Sequence, residues 1–433
     1  MDPTLVGIIG LIVLIVLLFS KMPVGFAMAL VGFVGYTYIV SFEAGLRVLA
    51  SDIFATWGSY NLTVVPLFIF MGQISYHSGI SRRLYNTAYT LIGHLHGGLA
   101  MATILACAGF AAICGSTTAS AATMTTVALP EMKRYKYDMG LATGTIAAGG
   151  SLGILIPPSV IFIIYGIMTE QSIGRLFAAG ILPGLMLSAM FMITIYIVTR
   201  VNPELGPAGP KTTFKEKIAS LPGTIEMLFI FILIMSGLFL GFFTPTEAGA
   251  AGAFITLTLA VIRRQLSWKK FFLAGNESVR TACMVMVIVA GATIFGHFLA
   301  VTQIPYLLAE WVAALPLPAW AIMTVIILIY LAGGCFMDSL GMILLTIPIF
   351  YPVVINLGYD PIWFGVTIVL ICEMGVITPP VGVNVYVVNG VAKDVSLQTI
   401  FRGVMPMLLA LIVCNFLLIF FPQIVLFLPN LMN

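Results

Sequence analysis

The chain has 433 residues, of which 61% are hydrophobic and 8% are charged. Soluble globular domains carry about 25% charged residues, so this composition excludes a soluble protein and predicts an all-α polytopic membrane protein surrounded by lipid. The formal net charge of +3 is small and gives no reason to expect a nucleic-acid partner.

The first half of the chain contains five apolar runs and one shorter pair. A spanning helix needs about 20 apolar residues, and this measure predicts spans near 4–20, 23–40, 62–77, 139–168 and 176–199. The shorter pair, 98–113 and 117–130, is joined by the polar tip CGSTTAS. Because this tip cannot face lipid with unsatisfied polar groups, residues 98–130 are predicted to form a re-entrant hairpin.

The second half follows a linker at 201–222 that is rich in Pro, Gly and Lys. It gives spans near 224–242, 245–262, 281–301, 361–390 and 400–422, with a hairpin at 318–352. Prolines recur in the same order at nearly one offset: Pro23 and Pro245, Pro130 and Pro348, Pro157-Pro158 and Pro379-Pro380, and Pro183 and Pro406. We therefore predict a structural repeat of 1–200 and 223–433.

The number of spans and the basic residues predict the orientation. Five spans and a hairpin that leaves on its entry side are an odd number of crossings, so the second repeat is inverted. With the N-terminus outside, all 19 Lys and Arg residues except Arg47 and Arg175 fall on the cytoplasmic side. This distribution follows the positive-inside rule and predicts that both termini are periplasmic.

Each half also interrupts one span with a Pro-Pro pair, in GILIPPSV and GVITPPVG. A proline in a helix interior costs roughly 3 kcal/mol, and the freed backbone groups find no partners in lipid. The spans 139–168 and 361–390 are therefore predicted to be broken helices that line a transport site near the membrane midplane. There, helix N-termini face an anion and freed carbonyls face a small cation.

Polar residues near these breaks are the candidate ligands. The hydroxyl-rich residues 115–120 suit a hard cation such as sodium, although small residues also allow close helix packing. Asp338 is either a cation ligand or a structural acceptor at the second tip. Glu373 has three interpretations: a protonated packing residue, a binder of backbone amides, or a proton-coupling group. No catalytic constellation is present, which predicts that the protein is not an enzyme.

Several motifs together resemble the large membrane (M) subunit of TRAP transporters, the tripartite ATP-independent periplasmic systems. They are ICGSTTASAATM, GILIPPSVIFIIYG, GFFTPTEAGA, CFMDSLGMILLTIPIFYP and EMGVITPPVGVNVYVV. The resemblance implies an elevator-type, sodium-coupled importer of organic acids such as C4-dicarboxylates or sialic acid in a bacterial inner membrane. It also implies two partners, a small four-helix membrane subunit and a periplasmic substrate-binding protein, and no organic cofactor.

The resemblance also implies site residues. Two or more sodium ions are expected, with a first site at Gly115, Ser116, Thr117, Gly150 and Ile154, and a second at Asp338, Ser339, Gly375 and Thr378. The substrate carboxylate is expected near Ser116, Thr118, Ser120, Pro157, Pro158, Pro379, Pro380, Gly382 and Asn384. Glu373 is a further buried acid beside the second break.

Two other functions remain open at this point. One is a divalent-anion and sodium symporter of similar architecture that works without a binding protein. The other is an ion-translocating subunit of a membrane complex. Such subunits usually carry intramembrane Lys, and the predicted spans of this chain place no Lys or Arg deep in the bilayer.

Overall fold

A computed structural model describes residues 2–432, which form helices and no strand. The first ten helices are α1 (Pro3–Phe19), α2 (Val24–Ile39), α3 (Phe42–Gly58), α4 (Val64–His77), α5 (Ile80–Ile92), α6 (Gly98–Cys114), α7 (Thr117–Arg134), α8 (Met139–Leu155), α9 (Val160–Thr169) and α10 (Ile173–Val201). The other eleven are α11 (Phe214–Ser220), α12 (Pro222–Phe239), α13 (Pro245–Ile262), α14 (Trp268–Thr302), α15 (Ile304–Ala314), α16 (Ala319–Gly334), α17 (Ser339–Asn356), α18 (Pro361–Gly375), α19 (Val383–Val391), α20 (Leu397–Phe420) and α21 (Gln423–Asn430).

Helix length and composition agree with a multi-pass membrane protein. Within residues 2–432, seven helices are long and apolar enough to cross a membrane, or eight if the bent pair 42–58 and 61–77 is one span. The broken segment Met139–Thr169 is one of the seven, and 89% of its most apolar window is buried. The all-α polytopic class is therefore confirmed, while the inverted repeat and its boundaries stay predictions.

The structure contains helices that the apolar-run measure did not predict. They are α3, α5, α11, α15 and α21. Helix α5 has a strongly apolar side and a polar side, and a test for continuous apolar runs misses this kind of helix. Helix α11 lies inside the predicted linker, where Thr213 and Glu216 form a capping box at its start.

Helix α14 corrects one predicted boundary. It begins at Trp268, not near 281, and runs for 35 residues. The added turns carry Lys269, Glu277 and Arg280, whose charges ended the predicted span too early. This extension matters below because Glu277 lies in it.

Two groups of helices surround the site. Helix α8 is buried along its whole length, and it packs on α6, α7 and α20. A Cβ atom on Gly144 would lie 2.6 Å from the backbone nitrogen of Val404, so α8 and α20 approach through glycine. In a second group, α2 and α4 pack on α14, and α13 packs on α4. Here Gly25 and Gly32 of α2 bring its backbone against that of α14.

Candidate functional site: the cavity between two helix tips

The first tip is a two-residue turn between α6 and α7. Gly115 has φ +62°, a left-handed conformation that glycine adopts without steric cost. Ser116 is the N-cap of α7, and its hydroxyl accepts a hydrogen bond from the backbone N–H of Ala119 at 3.4 Å. The Ser116 and Thr118 hydroxyl oxygens are 3.3 Å apart. The turn therefore gathers hydroxyl groups at one end of two packed helices.

The first broken helix lies directly against this tip. Helix α8 ends at Leu155 and α9 begins at Val160, and the connection with its cis Pro157-Pro158 bond is buried. A Cβ atom on Gly115 would be 3.0 Å from the Pro158 carbonyl oxygen. The first tip and the first break thus touch through backbone.

A possible ligand set is visible where α8 meets the tip. A Cβ atom on Gly153 would overlap the Ser116 carbonyl oxygen and lie 3.0 Å from the Ser120 hydroxyl. Among the described residues, that buried Ser120 hydroxyl has no hydrogen-bond partner. A neutral set of carbonyl and hydroxyl oxygens fits a sodium ion. Gly150 lies one turn away and packs on Ala121.

The second tip repeats the arrangement with an acid. Asp338 is the N-cap of α17 and accepts a hydrogen bond from the Leu340 N–H at 3.1 Å. Asp338 thus accepts a structural hydrogen bond, and its role as a cation ligand stays a prediction. The neighbouring Ser339 hydroxyl is buried and lacks a partner within the described residues. The Phe336 ring packs edge-on against Phe19 at the end of α1, with centroids 5.9 Å apart.

The second break differs from the first because part of it is exposed. Helix α18 ends at Gly375 and α19 begins at Val383, with Pro379 and Pro380 exposed between them. The Thr378 hydroxyl donates to the Met374 carbonyl at 2.5 Å, which leaves the lone pairs of its oxygen free to coordinate a cation.

Asn384, at the start of α19, connects the two halves of the chain. It is fully buried and donates from Nδ2 to the Ala147 carbonyl of α8 at 3.2 Å. Its Oδ1 has no partner in the part of the chain that the structure describes. The amide oxygen is therefore available to a donor beside the first broken helix.

A cavity of about 510 Å³ joins the two tips. Seven predicted site residues line it: Gly115, Ser116, Thr117, Thr118, Ile154, Asp338 and Ser339. The remaining predicted residues are not in its lining: Ser120, Gly150, Pro157, Pro158, Glu373, Gly375, Thr378, Pro379, Pro380, Gly382 and Asn384. The structure thus brings the tips together and leaves most of the second break outside this cavity.

Sequence reasoning missed the opposite wall. This release wall, as we name it, consists of Gln73, Tyr76, Glu277 and Thr281 from α4 and α14. Glu277 Oε2 lies 2.9 Å from His77 Nε2. The predicted span at 281–301 excluded Glu277, and only the packing of α14 on α4 brings it to the cavity.

Glu373 is buried in α18 behind the second tip. Neither of its carboxyl oxygens has a hydrogen-bond partner within residues 2–432. The interpretation in which Glu373 binds backbone amides is therefore wrong. Packing and proton coupling remain.

One exposed ion pair ties the first hairpin to the second broken helix. Lys133 donates to both carboxyl oxygens of Asp394, at 2.9 and 2.6 Å. The hydrogen bond from Lys133 holds the pKa of Asp394 below its ordinary value. The pair joins the end of α7 to the loop after α19.

A comparison with protein families decides the class of protein. Residues 11–424 match the model described as "Tripartite ATP-independent periplasmic transporter, DctM component". The chain belongs to the DctM family. It is therefore a membrane subunit of a transporter and not an enzyme, and the resemblance found in its motifs is confirmed.

Two relatives of the DctM family show how much of the chain the similarity covers. The chain is 38% identical to the C4-dicarboxylate TRAP transporter large permease protein DctM of Pseudomonas aeruginosa, over 89% of this chain and 90% of that protein. It is 34% identical to the sialic acid TRAP transporter large permease protein SiaM of Vibrio cholerae, over 96% of each. The likeness therefore includes both tips and both breaks.

A solved structure supports the fold of this DctM-family chain. The Alcanivorax borkumensis YdaH transporter superposes with a TM-score of 0.60, over 97% of this chain and 99% of that one. The sequence identity is 13%, so this similarity concerns the fold alone.

Proposed function

We propose that the chain imports an organic acid together with sodium ions, by an elevator mechanism, after a periplasmic binding protein delivers the acid. The observation that carries the proposal is the cavity that both helix tips line together. Family membership favours this function over an ion-translocating subunit. The tripartite description of the family favours a binding protein and a small membrane subunit over a stand-alone symporter.

The proposed first sodium site uses the oxygens between the first tip and α8. The unpartnered Ser120 hydroxyl and the Ser116 carbonyl both lie beside Gly153. At the second tip, the unpartnered Ser339 hydroxyl lies beside the Asp338 carboxylate. Thr378 lies outside the cavity lining, and its place in the second site stays a prediction.

Contacts of the second tip support an inward-facing state of the proposed cycle. The second hairpin is predicted to enter from the periplasmic side. Its tip nevertheless contacts Phe19, and a Cβ atom on Gly341 would be 3.3 Å from Val24. Both partners flank Lys21, which is predicted to be cytoplasmic. A tip displaced toward the cytoplasm is the arrangement expected of an elevator after its inward movement.

The experiment is uptake into proteoliposomes that contain this chain with its small membrane subunit and its binding protein. Radiolabelled succinate and N-acetylneuraminate are the probes, because relatives are named for C4-dicarboxylate and sialic acid. We expect uptake of at least one probe to require both the binding protein and an inward sodium gradient. Equal uptake driven by a proton gradient without sodium would contradict the coupling.

Two variants with matched controls locate the sodium sites. Ser120→Ala and Asp338→Asn should each raise the sodium concentration for half-maximal uptake about tenfold, the scale of one lost ligand. Ser188→Ala removes a buried serine inside α10 that lies outside the cavity lining, and Asp360→Asn changes an N-cap aspartate at the start of α18. Asparagine caps a helix about as well as aspartate, so Asp338→Asn preserves the cap. Similar sodium dependence in the variants and controls would remove the assignment.

A further inference from the structure

The cavity between the tips has charges of only one sign. Its lining includes the carboxylates of Glu277 and Asp338, and its described residues include no Lys, Arg or His. A site for an anionic cargo is therefore lined by two acids and no base. The two acids come from different elements, Asp338 from the second tip and Glu277 from the release wall.

His77 positions the carboxylate of Glu277. The Glu277 side chain is 42% exposed, whereas the His77 side chain is 10% exposed and lies outside the cavity lining. The 2.9 Å contact between His77 Nε2 and Glu277 Oε2 holds one carboxylate oxygen through a residue that does not line the cavity. The contact joins the last residue of α4 to the third turn of α14, so both helices hold the acid in place.

The other members of the release wall are polar but uncharged. Gln73 and Tyr76 belong to the last two turns of α4, and Thr281 follows Glu277 by one turn of α14. Basic residues near this wall lie outside the cavity lining, with Arg82 and Arg83 after α4, and Lys269 and the exposed Arg280 on α14. By the positive-inside rule this end of the cavity is the cytoplasmic one.

Helix α4 also contacts the first tip directly. A Cβ atom on Gly72 would be 3.0 Å from the Cys114 carbonyl oxygen, the last residue before the tip. Gly72 lies next to Gln73, so the release wall begins where the tip rests on α4. The first tip and Glu277 therefore line the same cavity, with α4 in contact with both the tip and α14.

We propose that the release wall is a charge-selective exit, in which Glu277 attracts sodium ions and repels the carboxylate cargo. A carboxylate in a cleft with low-dielectric walls raises the local concentration of cations and lowers that of anions, by tenfold or more in favourable cases. Repulsion of the cargo on this side speeds its dissociation into the cytoplasm and disfavours rebinding. The identity of the cargo rests on the proposed function, whereas the sign of the electrostatic potential at the release wall does not.

The electrostatic potential at the release wall can be measured without a transport assay. A Thr281→Cys reporter is placed in a background in which Cys107, Cys114, Cys283, Cys335, Cys372 and Cys414 are alanine. Inside-out vesicles are treated with a positively charged and a negatively charged methanethiosulfonate reagent of similar size. The ratio of the two modification rates, divided by the ratio for a small free thiol, reports the sign of the local potential.

We expect the normalised ratio to favour the cationic reagent and to fall roughly two- to fivefold with Glu277→Gln. Glu310→Gln is the control, since Glu310 is exposed on α15 and outside the cavity. A Gln73→Cys reporter on α4 repeats the test if Thr281→Cys does not fold. An unchanged ratio in Glu277→Gln, or modification only from the periplasmic side, would overturn the proposal.

A second measurement tests the effect on cargo. Carboxylate added on the cytoplasmic side of the proteoliposomes should inhibit uptake at a two- to fivefold lower concentration in Glu277→Gln than in the wild type. The same inhibition constant in both would overturn the role in release. Failure of sodium-coupled uptake in the wild type would instead reject the proposed function and leave the potential measurement valid.

Discussion

Replacement of Gly153 by alanine tests the contact between α8 and the first tip. The added Cβ would lie 2.7 Å from the carbonyl carbon of Ser116 and 3.0 Å from the Ser120 hydroxyl. Ordinary van der Waals contact begins near 3.4 Å, and the Ser116 carbonyl oxygen is closer still, so α8 and the tip must separate by more than about 0.7 Å. All nearby atoms are at the proposed first sodium site, and the separation moves them away from one another.

The expected loss is that of one sodium ligand, about 1.4 kcal/mol, or a tenfold rise in the sodium concentration for half-maximal uptake. Alanine favours a helix over glycine by about 1 kcal/mol, which offsets part of the 1–3 kcal/mol that overpacking costs. The thermal stability of Gly153→Ala should therefore change little compared with its sodium dependence.

The assay is a sodium titration of labelled-carboxylate uptake, with thermal unfolding in detergent measured in parallel. Gly296→Ala is the matched control, because it is also a glycine in a helix and a Cβ there meets nothing within 4 Å. Wild-type sodium dependence in Gly153→Ala would refute the site between α8 and the tip. A large fall in unfolding temperature together with lost uptake would show that the contact is structural.

Two further predictions concern ion pairs outside the cavity. Glu226 is buried and pairs with Arg83 at 2.9 Å and with Arg263. Glu226→Ala leaves both guanidinium groups without this partner and should lower the free energy of unfolding by about 3 kcal/mol in thermal or denaturant unfolding. A loss below about 1 kcal/mol would contradict this prediction. Because the pKa of Asp394 is lowered by Lys133, the pair stabilises the folded chain above the ordinary carboxyl pKa, and this contribution is lost as the pH falls through the lowered value. The stability difference between wild type and Lys133→Gln should be constant from about pH 8 to pH 5 and shrink as the pH falls below the ordinary carboxyl pKa. A difference that instead disappeared between pH 8 and pH 5 would refute this linkage.

The sequence predicts the tips and breaks well because their physical signals are local. A Pro-Pro pair inside an apolar run marks a break, whatever packs around it. Hydroxyl and glycine residues between two short apolar segments mark a tip in the same way. The structure places non-helical backbone at 156–159 and 376–382, and turns at 115–116 and 335–338.

The release wall was beyond such reasoning because no local signal defines it. His77 and Glu277 are separated by 200 positions in the sequence and meet only when α4 packs on α14. The charges on the first turns of α14 argue against a span locally, although the helix continues through them. The orientation of the Thr378 hydroxyl was also not predicted, although its cause is local. A hydroxyl near a break has a nearer acceptor, the carbonyl four residues earlier, which the alignment of the repeats does not show.

The two tips use the same local device with different charge. Ser116 and Asp338 each cap the second helix of a hairpin and face the same cavity. Serine caps without adding charge, whereas aspartate adds a carboxylate to a cavity that already contains Glu277. In the proposed cycle an anion then meets two acids and no base, and burying such an excess of negative charge is costly unless cations accompany it. Sodium coupling would then follow from charge balance, because the cargo binds tightly only when sodium occupies the oxygens around it.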